Sequence, residues 1–270
     1  MAVSDIGVQS HSPAAAAGPS VIINADDWGR DAAVTDRTLD CLRKGVVSST
    51  SAMVFMEDSE RAAGLAQSHA VDAGLHLNFT APFTAARVPD RLRDQHEKVR
   101  RFLRSSRLAA LVYNPGLSRS FEYAVAAQFD EYERLYGTTP ARIDGHHHMH
   151  LCANVFHQKL LPEHTIVRRN FTFAPGEKGS LNRLYRRWRD GQLARRHVIT
   201  DFFFSLPPLA PFSRLQKIFD LATRFSVEIE THPVQEEEYR FLVEGEVRKA
   251  AGEVAIARGY RVPAASERGR

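Results

Sequence analysis

Four short, strand-like runs in this chain each stop at side chains suited to metal binding or acid–base work. Val21-Ile22-Ile23-Asn24 breaks into Ala25-Asp26-Asp27-Trp28-Gly29, and Ala73-Gly74-Leu75 into His76-Leu77-Asn78. Ala141-Arg142-Ile143-Asp144 leads through Gly145 into His146-His147-His148-Met149-His150, and Val227-Glu228-Ile229-Glu230-Thr231 into His232-Pro233. Apolar runs this short are typical of buried parallel strands, and parallel α/β folds place their chemistry at strand C-terminal ends. A lone His76 or His232 would default to a structural role. Their shared position at strand ends changes that reading.

The histidine run is hard to explain as packing, because His is neither a good core filler nor a cheap surface residue. Neutral imidazole is the commonest metal ligand, so the cluster reads as part of a metal site. Asp26 and Asp27 would face opposite ways in a regular strand. At a strand end the chain turns, Gly29 permits the turn, and both carboxylates converge. One then binds a cation while the other stays free as a base. The competing reading is that one Asp only caps the helix starting near Asp31.

Between these runs the pattern alternates strand and helix. Helices are predicted over 31–44 (Val34, Thr38 and Leu42 on one stripe, Gly45 as the stop), 57–68, 91–112, 120–136, 211–224 and 236–258. Further strands are predicted over 46–55, 165–169 and 197–203. In 120–136 the stripe Phe121, Val125, Phe129, Tyr132 and Tyr136 reads as core. Repeated βα units argue for a parallel α/β fold, and 270 residues with 43% hydrophobic content suffice for one core.

The set NADDWG, GLHLN, DGHHHMH and ETHP resembles the YdjC-like carbohydrate deacetylases, from about Pro19 to Gly259-Tyr260-Arg261. The resemblance implies a single-domain, distorted, TIM-like (β/α) barrel of parallel strands over residues 20–263. It also implies one divalent cation, Mg2+ or Zn2+, held by Asp27, His76 and His146, with Asp26 as catalytic base and His232 as acid. Asn78, His148, His150 and Arg168 are the expected substrate contacts. Trp28 stands where the family usually has Phe, and the segment after Asn78 is short and Arg-rich.

The activity so implied is metal-assisted hydrolysis of an N-acetyl group on an amino sugar, oligosaccharide or glycolipid, releasing acetate. A two-histidine, one-carboxylate site leaves open positions on the ion, as catalytic rather than structural sites do. Two other readings compete: a different metal hydrolase such as a phosphoesterase, and a non-enzymatic protein binding nucleic acid or another anion. The first needs extra carboxylate bridges that Glu228 and Glu230 do not obviously supply. The second leaves the strand-end residues unexplained, so the expected partner is a small carbohydrate and not nucleic acid.

Arg183, Arg186, Arg187, Arg189, Arg195 and Arg196 crowd a stretch that also holds Tyr185 and Trp188, ahead of the apolar run Phe202–Leu209. A solvated helix face is the plainer reading. The alternative is that both line the barrel mouth and favour an anionic or lipid-linked N-acetyl sugar. Residues 1–19 read as a disordered leader without signal-peptide character, and 264–270 as a disordered tail. No run is long enough to span a bilayer. The thiols Cys41 and Cys152, without metal-ligand spacing, suggest a reducing, cytoplasmic setting. A homodimer is the default assembly.

Overall fold

A computed structural model describes residues 20–173 and 176–262; the expected leader and tail lie outside them. The chain opens β1 (Ser20–Trp28), α1 (Ala32–Arg43), β2 (Ser49–Ala52), α2 (Ser59–Ser68), β3 (Ala73–Leu77) and α3 (Asp90–Ser105). It continues α4 (Ser118–Tyr136), β4 (Arg142–Gly145), α5 (Ala153–His157), β5 (Ile166–Val167) and α6 (Ser180–Leu193). The last elements are β6 (Phe202–Ser205), α7 (Phe212–Leu221), β7 (Val227–Thr231), α8 (Glu236–Val243), α9 (Glu246–Ala251) and β8 (Ala255–Ile256).

Strands β5-β4-β3-β2-β1-β7-β6 form one sheet, every pair parallel, and β8 adds to the start of β1. The sheet's two edges are stitched together by irregular backbone. Val167 N–H donates to Val198 O at 2.9 Å, and Thr172 N–H donates to Phe203 O at 2.8 Å. The result is a curled, TIM-like α/β barrel in a single domain, distorted where β5 meets β6.

Strand alternation sorts two kinds of interior. Ile23, Ala25, Leu75, Ile143, Val227 and Ile229 are buried in apolar clusters built with the helices. The intervening Asn24, Asp26, His76, Asp144, Glu228 and Glu230 are equally buried but polar or charged. A barrel interior is usually filled by branched aliphatic layers. This one is filled by a hydrogen-bonded polar network.

The stripe on α4 is core, as expected: Phe121, Val125 and Tyr132 are buried, and the Tyr132 and Tyr136 rings stack 4.4 Å apart. Burying a side chain such as Phe121 contributes roughly 1.5–3 kcal/mol. Several predicted elements differ: the strands expected over 46–55 and 165–169 are regular only at Ser49–Ala52 and Ile166–Val167. The helix expected over 91–112 ends at Ser105, where Ser106 is extended, and only a single 3-10 turn, Ala109–Leu111, follows. The helix expected over 236–258 is cut at Gly245, whose φ of +93° no regular helix accommodates, and its last residues form β8. Of the strand expected over 197–203, only the end pairs regularly; Val198 makes an isolated bridge to Ile166. Among the described residues no helix is long and apolar enough to cross a membrane.

Candidate active site

The paired aspartates converge through a β-bulge. On β1 the pairing steps from Ala25↔Thr50 to Trp28↔Ala52, so three residues on β1 advance against two on β2. The extra residue is absorbed at Asp27, which sits at φ +67°. The turn therefore falls on Asp27 itself, ahead of Gly29. Capping of α1 belongs to a different carboxylate: Asp31 accepts the Val34 N–H at 2.9 Å, leaving Asp26 and Asp27 for the barrel mouth.

Asp27 Oδ1 lies 2.9 Å from His146 Nδ1 and 3.3 Å from His76 Nε2, and Asp27 Oδ2 accepts from Arg30 at 2.6 Å. These three residues present ligand-type atoms all within 4.8 Å of one another. Behind them, His76 Nδ1 donates to Asp144 Oδ1 at 2.8 Å, which fixes the ring so that Nε2 faces Asp27. Burial opposes charge on His76, yet the carboxylates of Asp26 and Asp144 prevail and push it up to about 10. Burial likewise raises Asp27, but hydrogen bonds from His146 and His76 hold it well below the usual carboxylate range.

The histidine run does not act as a block. Gly145 lets it start close to the neighbouring strand, since a Cβ there would stand 3.0 Å from Leu77 O. His147 and His148 then take left-handed φ values of 54° and 58°, so consecutive rings fan apart. His146 turns to Asp27. His147 Nδ1 pairs with Thr80 Oγ1 at 2.9 Å, and the His148 ring meets Phe171 edge-on at 4.5 Å. His150 donates from Nε2 to Arg168 O at 2.9 Å and is buried.

Arg168 is the hub of the barrel interior. Its Nη atoms donate to Asp26 at 2.6 and 2.8 Å, Nε donates to Glu228 at 2.7 Å, and Nη2 lies 3.0 Å from Asp144. Burial raises the Asp26 carboxyl, but the Arg168 charge outweighs it and sets Asp26 below the usual range. Glu230 goes the other way, pushed well up by burial and by the neighbouring Asp26 charge. Five buried carboxylates (Asp26, Asp27, Asp144, Glu228 and Glu230) thus face two buried guanidiniums, Arg142 and Arg168. Burial pushes the Glu228 and Glu230 carboxyls up, so the charge inside the barrel is close to balanced, and it is the O/N/N donor set of Asp27, His76 and His146 that fits a metal cation.

Asp26, Asp27, His76, His146, His148, Glu230 and His232 share one cleft of about 1210 Å³, walled by Pro207–Ala210. The three other expected substrate contacts do not reach it. Asn78 is buried and spends its amide on its own loop, accepting from Thr80 and Ala81 N–H. His150 points into a separate small pocket beside Phe156 and His197, and Arg168 is wholly enclosed against the carboxylates.

The expected basic lining of the mouth is divided as well. Pro207–Ala210 does wall the cleft, but Arg183, Arg186 and Arg187 border another groove with Phe171 and Phe173. Arg189 is buried over the Phe156 ring, 3.6 Å from its centroid, and Arg196 pairs with Glu163.

Asp144, Glu228 and Glu230 were not singled out by sequence reasoning as parts of the site. A signal existed. In Val227-Glu228-Ile229-Glu230 the two acids alternate with apolar residues, which places both on the inward face.

These features define an α/β barrel with a carboxylate–imidazole cluster that could hold a metal ion, at the C-terminal mouth of its strands. The chain belongs to the family described as YdjC-like protein, whose profile matches residues 20–256. It is 33% identical over 139 residues to a chitooligosaccharide deacetylase of Yersinia pestis (strain Pestoides F), covering 50% of this chain and 52% of that one. It is 36% identical over 137 residues to a carbohydrate deacetylase of Geobacillus stearothermophilus, with the same coverage of 50% and 52%. The matches span about half the length of these curated relatives. Among solved structures, a putative cellobiose-phosphate cleavage protein from Enterococcus faecalis V583 superposes with a TM-score of 0.63 at 19% identity. That likeness covers 89% of this chain and 97% of the other, and it is a likeness of fold.

Proposed function

We propose that this protein is a metal-dependent deacetylase that hydrolyses the N-acetyl group of an amino sugar or N-acetylated oligosaccharide to acetate and a free amine. One observation carries the reading: Asp26, fixed by Arg168, stands next to the Asp27–His76–His146 cluster, and His232 lines the same cleft. The names of the curated relatives agree with it.

Asp27, His76 and His146 would hold the cation, Mg2+ or Zn2+. When bound, it polarises the acyl carbonyl and makes water more acidic. Asp26 is the base: one of its oxygens accepts the proton lost by the attacking water. Arg168 keeps that carboxylate ionised and aimed. His232 supplies a proton to the departing nitrogen, without which an amine is a poor leaving group. Asp144 orients His76 from behind. Pro207–Ala210 supplies an apolar wall, suited to the acetyl methyl or a sugar face.

A two-cation phosphoesterase is less well served. The second carboxylate–imidazole group, Asp26, His76 and Asp144, reuses His76, and Arg168 already occupies both of its carboxylates. Cys41 and Cys152 are buried free thiols, which suits a reducing, cytoplasmic setting. The test is acetate release from N-acetylglucosamine oligomers by zinc- or magnesium-loaded protein. Acetate should appear in step with free amine. Release of neither from any N-acetylated sugar, while a phosphate ester is cleaved, would sink this reading in favour of the phosphoesterase.

A further inference from the structure

Large exposed apolar side chains are concentrated in two segments. Of the eleven most exposed among the described residues, eight fall within 108–113 and 181–188. On α6, Leu181 (84% exposed), Leu184 (62%), Tyr185 and Trp188 (53%) follow helical spacing and form one outward stripe. The second segment exposes Leu108, Leu111, Val112 and Tyr113. Scattered exposed leucines need no explanation, but contiguous stripes mark an interaction surface.

The two segments flank α5. Asn114, next to Tyr113, exchanges hydrogen bonds with Asn154 at 3.0 and 2.8 Å, and Tyr113 meets the His157 ring. From the α6 side, Arg189 stacks on Phe156. Arg186 also reaches Asn170, just beyond the end of β5.

Charge identifies the occupant. Residues 98–119 contain Lys98, Arg100, Arg101, Arg104, Arg107 and Arg119 and no Asp or Glu; Arg100 and Arg101 are paired with Glu97, which leaves Lys98, Arg104, Arg107 and Arg119 as the charge of this segment. Residues 178–188, between Glu177 and the buried Asp190, contain Lys178, Arg183, Arg186 and Arg187 and no acid, while Arg189 is buried over Phe156. A second copy of the chain meeting this face across a two-fold axis would set one basic patch against another. Nucleic acid would answer the charge but give leucine side chains nothing to bury against. An anionic lipid surface answers both, with Leu and Trp entering the headgroup–acyl boundary and guanidiniums on the phosphates.

We infer that the face made by residues 108–113 and the outer stripe of α6 docks reversibly on anionic membrane surfaces. This goes beyond the deacetylase reading and does not rest on it. The experiment is vesicle co-sedimentation, with emission recorded from Trp188. The only other tryptophan, Trp28, is wholly buried and insensitive to lipid. Vesicles of equal phosphatidylglycerol and phosphatidylcholine should bind at least about tenfold more tightly than phosphatidylcholine alone, lose binding in high salt, and blue-shift Trp188. Leu181→Glu/Leu184→Glu, at two exposed positions, should keep the Trp28 emission and far-UV spectrum but lose binding and shift. Absence of binding to anionic vesicles, or equal binding by the double variant, overturns the inference. So does a concentration-dependent Trp188 shift without lipid, which assigns the face to a second copy. Displacement from the vesicles by a single-stranded oligonucleotide that itself shifts Trp188 assigns it to nucleic acid instead.

Discussion

Arg168 and Asp26 are joined by a two-pronged ion pair, at 2.6 and 2.8 Å, between side chains 1% and 3% exposed. The same guanidinium reaches Glu228 and Asp144, so one side chain balances carboxylates from β1, β4 and β7. Its fork, not merely its charge, matters for this arrangement.

Arg168→Met should therefore destabilise the fold by about 3–5 kcal/mol, the range for breaking one partner out of a buried ion pair. Arg168→Lys should recover part of that stability while leaving Asp26 poorly aimed. Urea unfolding of both variants checks the stability, and acetate release checks the aim. A Lys variant with full activity would show that the fork is dispensable.

Equilibrium dialysis against zinc should give close to one ion per chain. His76→Ala and His146→Ala should abolish that binding, and Asp144→Asn should weaken it about 10–100-fold by releasing the ring it orients. His150→Ala should bind as the parent does, because His150 faces away from the cluster. Undiminished zinc in both His76→Ala and His146→Ala would discard the ligand assignment.

Asp26→Asn should keep the ion and lose turnover by roughly 10²–10⁴-fold, since the amide can hydrogen-bond but cannot take a proton. His232→Ala should show a similar loss in kcat with little change in KM. Rates and bound metal measured on the same preparations separate these roles from ligation.

Acid should weaken the fold between about pH 6.5 and pH 4. Burial holds His96 and His150 down at about 4, while an unfolded chain protonates histidine near 6.5. Below pH 6.5 the unfolded state takes up protons that the folded state refuses, so stability is complete above that pH and falls as pH drops. Each histidine contributes a slope of at most about 1.4 kcal/mol per pH unit. Melting curves from pH 7 to pH 5 should show the fall, and His96→Leu should flatten it. Parallel curves for the variant and the parent would exclude His96 as a cause.

The alternation of strand and helix and the four strand-end motifs were legible because both are local patterns, set by periodicity and by where apolar runs stop. The helix over 118–136 shows its core stripe in five residues. What the sequence did not disclose are relationships across the barrel. Arg168 is one arginine among many until β1, β4 and β7 bring three carboxylates to it. Side-chain direction within His146–His150 was equally hidden, because it depends on left-handed backbone at His147 and His148, which no residue type there announces. Asn78, which its motif made an apparent contact, is instead spent on shaping its own loop.

Tyr260 reaches back into the barrel from beyond β8, where its hydroxyl donates to Glu228 at 2.5 Å and its ring lies 4.4 Å below the Arg142 guanidinium. Its backbone N–H is held by Asp72 at 2.7 Å, so this late segment stoppers the end of the barrel opposite the cleft. On the ribosome, every inward charge of the barrel is made before the residue that closes over them. A nascent chain stalled short of residue 260 should keep its strands open to water and remain sensitive to protease, becoming resistant only once Tyr260 has left the exit tunnel. Closure of this end of the barrel should thus wait on Tyr260 rather than on its last sheet strand.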